Sequence, residues 1–145
     1  MNKRLFAALG LFLAFAASAA AETVPDESAA RKLGDQIMTS VAAGDLDAAF
    51  STMKPYVPIS GTEIDSVAMQ SKAAREQYGQ RYGKSSSFEF IDSKKIGESL
   101  LRLRYIEKTD KHALPWVFYF YRTEAGWVLN SFDWNDMYKK LFEDN

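Results

Sequence analysis

The spacing of apolar residues changes from a helical period to strict alternation near residue 86. Before that point apolar side chains recur three and four positions apart, which predicts helices. The first helix begins after Asp26 and ends at Gly44, and a second, shorter helix begins at Asp45 or Asp47 and ends at Pro55. Their core-facing residues are Ala30, Leu33, Ile37, Met38 and Val41, then Leu46, Ala49, Phe50 and Met53.

A third, longer helix is predicted from Ser60. Ser60 and Glu63 have the spacing of a capping box, in which each side chain bonds the free backbone amide of the other residue. The helix continues to Arg81 or Tyr82, and Gly83 ends it. The residues on or near its packing face are Ile64, Val67, Ala68, Ser71, Ala74, Tyr78 and Tyr82.

Four strands are predicted from residue 86 onward, because apolar and polar residues then alternate. The first strand sets Phe88 and Phe90 against Glu89 and Ile91, and the polar segment Lys94–Glu98 reverses the chain. In the second strand Leu101, Leu103 and Tyr105 face one way, and Arg102, Arg104, Ile106 and Lys108 face the other.

The third and fourth strands form a hairpin around residues 123–126, where a glycine separates two aromatic and β-branched runs. The third strand has Trp116, Phe118 and Phe120 on one face and Val117, Tyr119 and Tyr121 on the other. The fourth strand, from residue 126 to 133 or 134, sets Trp127, Leu129 and Ser131 against Val128, Asn130 and Phe132.

The element order predicts an α+β fold, in which N-terminal helices pack against a curved four-stranded antiparallel sheet. A short C-terminal helix is expected after a cap at Asp133, Asn135 or Asp136, with its apolar residues packing back. Residues 22–145 are predicted to form a single domain.

Residues 1–21 have the pattern of a secretory signal peptide. Lys3 and Arg4 precede an apolar run, and small residues at positions 18–21 offer a cleavage site. The apolar run is shorter than the roughly 20 residues of a spanning helix, so we expect cleavage and no stable membrane insertion. A periplasmic or secreted location follows, and without a cysteine the chain has no lipid-anchor site and no disulfide.

Composition removes several classes of function. The chain carries 18 basic and 19 acidic residues, a net charge of −1, whereas nucleic-acid binders are strongly basic. Zero cysteines and a single histidine, His112 in a polar turn, cannot build a thiolate or histidine-cluster metal site. We therefore expect no nucleic-acid partner, no metal and no cofactor.

The segment Ala42–Met53 (AAGDLDAAFSTM), the following long helix and the closing run FYFYRTEAGWVLNSFDW resemble a known family. They are similar to small exported members of the nuclear-transport-factor-2-like superfamily, which has the cystatin-like α+β cone. In that superfamily a glycine-aspartate step joins the first two helices, and a tryptophan follows the glycine of the last hairpin, here Gly126-Trp127. The resemblance implies a pocket between sheet and helices, found in isomerases, dehydratases and non-catalytic binding proteins alike.

Two sets of residues are candidates for such a pocket or for an interface. A small apolar ligand would contact Tyr56, Tyr78, Tyr82, Trp116, Phe118, Phe120 and Trp127, although rings at these spacings also suit plain core packing. Because the third strand is apolar on both faces, its second face predicts an interface. That interface would contain Val117, Tyr119 and Tyr121 with Arg102 and Arg104, although the two arginines equally suit a solvated sheet face.

The one candidate catalytic residue is Asp133. It extends the face of Trp127, Leu129 and Ser131 and can reach the lip of a pocket, although an aspartate there also suits a helix cap. The sequence favours a non-catalytic periplasmic protein that binds a small apolar ligand or a protein partner, either an envelope protein or a second copy. The alternative is a small isomerase- or dehydratase-like enzyme using a pocket carboxylate and a tyrosine. A structural protein with a filled interior is a third reading.

Overall fold

The computed structural model describes residues 20–143, so the predicted signal peptide lies outside the described residues except for its last two positions. Three helices precede four strands, and the predicted α+β class is confirmed. The helices are α1 Glu27–Ala42, α2 Leu46–Met53 and α3 Gly61–Tyr82; the strands are β1 Ser85–Ile96, β2 Leu100–Thr109, β3 Ala113–Thr123 and β4 Gly126–Trp134. Short 3-10 turns cover Lys54–Tyr56 and Tyr138–Phe142.

The predicted helix caps are present. Asp26 accepts a hydrogen bond from the Ala29 amide at 2.8 Å, and Asp45 begins α2 in the same way. At α3 the Ser60 amide donates to Glu63 Oε2 at 2.8 Å, and the Glu63 amide donates to Ser60 Oγ at 3.2 Å. These bonds satisfy backbone amides that have no partner within the helices. The bonds between Ser60 and Glu63 also hold the pKa of Glu63 below its usual range.

The sheet is open and antiparallel, with strand order β1-β2-β3-β4. The helices cover one face of it, called here the inner face, and the opposite face is called the outer face. Alternate residues of β2 and β3 point inward and are almost completely buried together with residues of α1 and α2. These inward strand residues are Leu101, Leu103, Tyr105, Trp116, Phe118 and Phe120.

Two predicted boundaries are wrong. The segment Lys94–Ile96 belongs to β1, paired with Leu100–Arg102, so the chain reverses only at residues 97–99. Gly97 has φ +59°, which allows this tighter turn. The C-terminal element is a 3-10 turn without a side-chain cap; its Phe142 is 80% exposed, whereas its Tyr138 packs against His112, so only part of the expected apolar set packs back.

The segment before α1 is joined to the last hairpin. Val24 and Trp127 exchange two backbone hydrogen bonds, at 2.9 and 2.8 Å. A Cβ at Gly126, which has φ +141°, would lie 2.7 Å from the Val24 carbonyl oxygen. Glycine before Trp127 is therefore required both by the backbone conformation and by the close approach of this segment. No helix within residues 20–143 is long and apolar enough to cross a membrane.

Candidate functional site

The four inner-face aromatics proposed as pocket residues are core residues. Trp116 and Phe118 are completely buried, and Phe120 and Trp127 are 1% and 4% exposed. The Trp116 ring is stacked between those of Trp134, at 5.4 Å, and Phe118, at 6.3 Å. The inner face at this point is thus occupied by packed rings.

The three tyrosines do not converge with these four aromatics on a common cavity. Tyr56 is partly buried against the core. Tyr78 packs edge-on against Trp134 at 5.6 Å and lines a shallow groove of about 240 Å³. Tyr82 is buried and donates to Asp136 Oδ2 at 2.9 Å, and burial together with this bond raises the pKa of its hydroxyl.

The prediction that Asp133 lies on the same sheet face as Trp127 and Leu129 is wrong. A bulge in β4 leaves Asn130 without a partner, since Tyr119 pairs with Ser131 and Phe120 with Leu129. Beyond the bulge the alternation is inverted, so Phe132 pairs with Phe118 on the inner side and Asp133 pairs with the outward Val117. Asp133 is exposed on the outer face, opposite to the side where Tyr78 packs. A catalytic role for Asp133 therefore stays a prediction, and the tyrosine that lines the same groove is Tyr119 and not one of the three predicted pocket tyrosines.

The five interface candidates do share the outer face, and strand pairing arranges them in rows. From β1 to β4, the first row contains Ile96, Leu100, Tyr121 and Val128. The second row contains Lys94, Arg102, Tyr119 and Ser131. The third row contains Asp92, Arg104, Val117 and Asp133. The first row is apolar at all four positions, whereas the third contains two carboxylates and an arginine. We call this surface of three rows the outer patch.

Much of the apolar side-chain surface in the outer patch is open to solvent. Ile96, Leu100, Tyr119 and Tyr121 are 63%, 49%, 38% and 47% exposed. Two grooves, of about 280 and 480 Å³, meet at Arg102 and Tyr119. The larger groove is closed on its far side by the segment that leads into the C-terminal 3-10 turn. A concave surface with exposed tyrosines and the partly exposed Arg102 has the composition of a protein interface.

Arg104 is held in place in this patch. Its Nε donates to Asp92 Oδ1 at 2.8 Å, and a second bond joins its Nη2 to the other carboxylate oxygen. These bonds from the guanidinium hold the pKa of Asp92 below its ordinary value of 3.8. The bidentate geometry orients the guanidinium across the sheet.

Sequence reasoning missed a buried ion pair at the edge of the core. Glu107, on the inner face of β2, is completely buried, and its Oε1 accepts from Arg75 Nε at 3.0 Å and from Arg75 Nη2. Its Oε2 accepts from Trp116 Nε1 at 3.0 Å. The alternation Leu101, Leu103, Tyr105, Glu107 was the available signal.

Arg75 also lines a cleft of about 530 Å³, which lies outside the sheet interior. Its walls are the connection between α1 and α2, one side of α3 and the start of β1. None of the predicted pocket residues lines it. The lining residues are Val41, Ala43, Gly44, Asp45, Leu46, Asp47, Lys72, Arg75, Glu76, Gly79, Gly83, Lys84 and Ser85.

His112 is not the free turn residue that the sequence suggested. Its ring stacks on Tyr82 at 4.1 Å and contacts Tyr138 at 5.2 Å, and Nε2 lies 2.9 Å from the Asp136 carbonyl oxygen. These contacts attach the C-terminal segment to the end of α3. Within residues 20–143, no three histidine, cysteine, aspartate or glutamate residues lie together as metal ligands.

Comparisons with known proteins add no family to this description. No protein-family model matches the chain. A search of curated proteins returned no match either.

Proposed function

We propose that this protein is a non-catalytic interaction protein of the periplasm, and that its outer patch binds a second copy of the same chain. Export by residues 1–21 and the relationship to the nuclear-transport-factor-2-like superfamily are parts of this proposal. The signal pattern supports the first, and the element order with the Gly126-Trp127 step supports the second. The single observation that carries the interaction role is the apolar row of the outer patch, in which Ile96, Leu100 and Tyr121 are exposed beside the buried Val128.

The packed inner face favours a surface role over a ligand enclosed by the sheet. Trp116, Phe118 and Leu129 are each 0% exposed, so an apolar ligand would have to displace packed side chains. By contrast, Leu100 and Tyr121 leave about half of their surface in water. Covering such a contiguous patch is favourable, because removing apolar surface from water yields about 25 cal/mol per Å².

The strand register of the outer patch favours a second copy as the occupant. A half-turn about an axis along β3 places β2 of one copy over β4 of the other, with each row facing its own equivalent. Val117 and Tyr119 would then meet their own equivalents, and Arg102 would meet Ser131 of the second copy. A two-fold contact needs this kind of self-complementarity, in which residue i meets j and j meets i.

The outer patch has the size of a small interface. Four strands spaced about 4.8 Å apart, each contributing five residues at about 3.3 Å, cover a projected area of about 320 Å². This area is below the roughly 800 Å² per partner of a standard interface, so we expect a weak dimer that forms only at higher protein concentration.

Sedimentation velocity on residues 22–145 over a range of micromolar concentrations tests the proposal. We expect a concentration-dependent dimer that Tyr119→Asp dissociates at least about tenfold more readily, because a buried unpaired carboxylate is costly at an interface. Met69→Asp is the matched control, since Met69 is 72% exposed on α3. A wild-type protein that stays monomeric throughout, or an equal effect of both variants, would refute the role of the outer patch.

A further inference from the structure

The cleft between α3 and the connection from α1 to α2 lies apart from the outer patch. Its volume of about 530 Å³ falls within the roughly 300–1,000 Å³ of small-molecule sites. The α3 residues that line it are spaced i, i+3, i+4 and i+7, so they form one continuous face of the helix. These residues are Lys72, Arg75, Glu76 and Gly79.

Arg75 supplies a fixed donor in this cleft. The Arg75 side chain is only 13% exposed, and its Nε and Nη2 both donate to Glu107 Oε1. Within residues 20–143, Nη1 has no hydrogen-bond partner. A guanidinium held on one edge retains its other edge for a carboxylate, the planar acceptor that arginine binds best.

The remaining charges in the cleft divide into committed and uncommitted groups. Lys72 bonds both oxygens of Asp47 at 2.8 Å, and Asp45 caps α2. In the described part of the chain, the side chains of Glu76 and Lys84 have no ion-pair partner. One anionic and one cationic side chain thus line the same cleft as Arg75.

Gly79 keeps this face of α3 open. Nothing lies within 4 Å of a Cβ built at Gly79, so packing does not require glycine there. Glycine within a helix is destabilising relative to alanine, and no packing contact at position 79 compensates for that destabilisation. A side chain at this position would project into the cleft that Gly79 lines.

We propose that this cleft binds a free α-amino acid or a closely similar small zwitterion. The carboxylate of the ligand would bond Arg75 Nη1 and Lys84, and its ammonium group would bond Glu76. The ligand's side chain would lie against Val41 and Leu46. A zwitterion matches a cleft with three cationic and three anionic side chains, whereas a simple anion would gain little from it.

A thermal-shift screen of the free L-amino acids, each at millimolar concentration, identifies the ligand. Calorimetry then compares the strongest amino acid with its analogues that lack the amine or the carboxylate; for L-leucine these are 4-methylpentanoate and 3-methylbutylamine. We expect each analogue to bind at least about tenfold more weakly, because each loses a charge-assisted hydrogen bond. A screen in which no amino acid raises the melting temperature, with no heat of binding, would overturn the proposal.

Two leucine variants separate occlusion of the cleft from changes in folding. Gly79→Leu introduces a good helix former that fills the cleft, so the melting temperature should hold or rise while amino-acid binding is lost. Gln80→Leu, at an exposed neighbouring position outside the cleft, should bind as the wild type does. Glu76→Gln and Lys84→Gln should each weaken binding about tenfold. Wild-type affinity in Gly79→Leu would contradict the site, whatever the oligomeric state.

Discussion

Replacing Arg75 by methionine should destabilise the fold severely. Methionine has similar length and good helix propensity, so the main change is the loss of the only cation bonded to Glu107 among residues 20–143. Glu107 is completely buried and retains only the Trp116 indole N–H as a partner. Breaking a buried ion pair in this way typically costs about 3–5 kcal/mol.

The expected loss is large relative to the total stability of a domain. A native domain has a free energy of unfolding of about 5–15 kcal/mol, so a loss of about 3 kcal/mol or more removes a substantial part of its stability. For a domain of this size it corresponds to a fall in melting temperature of roughly 10–20 °C. Urea denaturation followed by tryptophan fluorescence measures the change, because Trp116 is buried against Trp134.

The double variant Arg75→Met/Glu107→Gln provides the control. Glutamine removes the buried charge but keeps an oxygen that can accept from Trp116 Nε1. The double variant should therefore be more stable than Arg75→Met alone, with a coupling energy of roughly 1–3 kcal/mol. An Arg75→Met protein within about 1 kcal/mol of the wild type would show that the ion pair does not anchor α3 to the sheet.

Two further predictions concern Gly34 and Asp92. A Cβ at Gly34 would lie 2.5 Å from the hydroxyl oxygen of buried Tyr105, so Gly34→Ala should cost about 1–3 kcal/mol in urea denaturation despite better helix propensity. Equal stability of Gly34→Ala and the wild type would mean that the ring has room to move. The lowered pKa of Asp92 means that its bond with Arg104 stabilises the fold above pH 3.8 and is lost as pH falls through the lower folded value. Asp92→Asn should therefore reduce stability at pH 7 and flatten the acid decline below pH 3.8; an unchanged pH profile in that acid range would contradict this.

The helices and the inner face of the sheet were predictable because their signals are local. A capping aspartate such as Asp26 and the capping box of Ser60 and Glu63 mark helix starts through bonds only three residues long. Alternation likewise identified the buried faces of β2 and β3, since one face of each strand packs on the helices.

The phase of β4 could not be obtained from strict alternation. Trp127 and Leu129 are buried at odd-numbered positions, but after the bulge Phe132 and Trp134 pack against the core at even-numbered positions. A shift of one position in the aromatic pattern is the signature of a bulge, and here it transfers Asp133 to the outer face. The prediction for Asp133 followed the first phase past the point where it changes.

The ion pair of Arg75 and Glu107 was missed for a different reason. The partners are 32 residues apart and belong to a helix and a strand, so no local spacing joins them. Glutamate is almost never completely buried without a partner, which disfavoured the inward position that alternation gave Glu107. The cleft beside Arg75 is likewise a consequence of how the helices meet.

Hydroxyl-radical footprinting of residues 22–145 at low and high protein concentration tests the central claim most directly, because it reports which side chains become covered. If the outer patch binds a second copy, Tyr119 and Tyr121 should lose reactivity as concentration rises, while exposed Met69 on α3 should not change. Unchanged reactivity of both tyrosines across a range in which the protein associates would contradict the account and place the interface elsewhere.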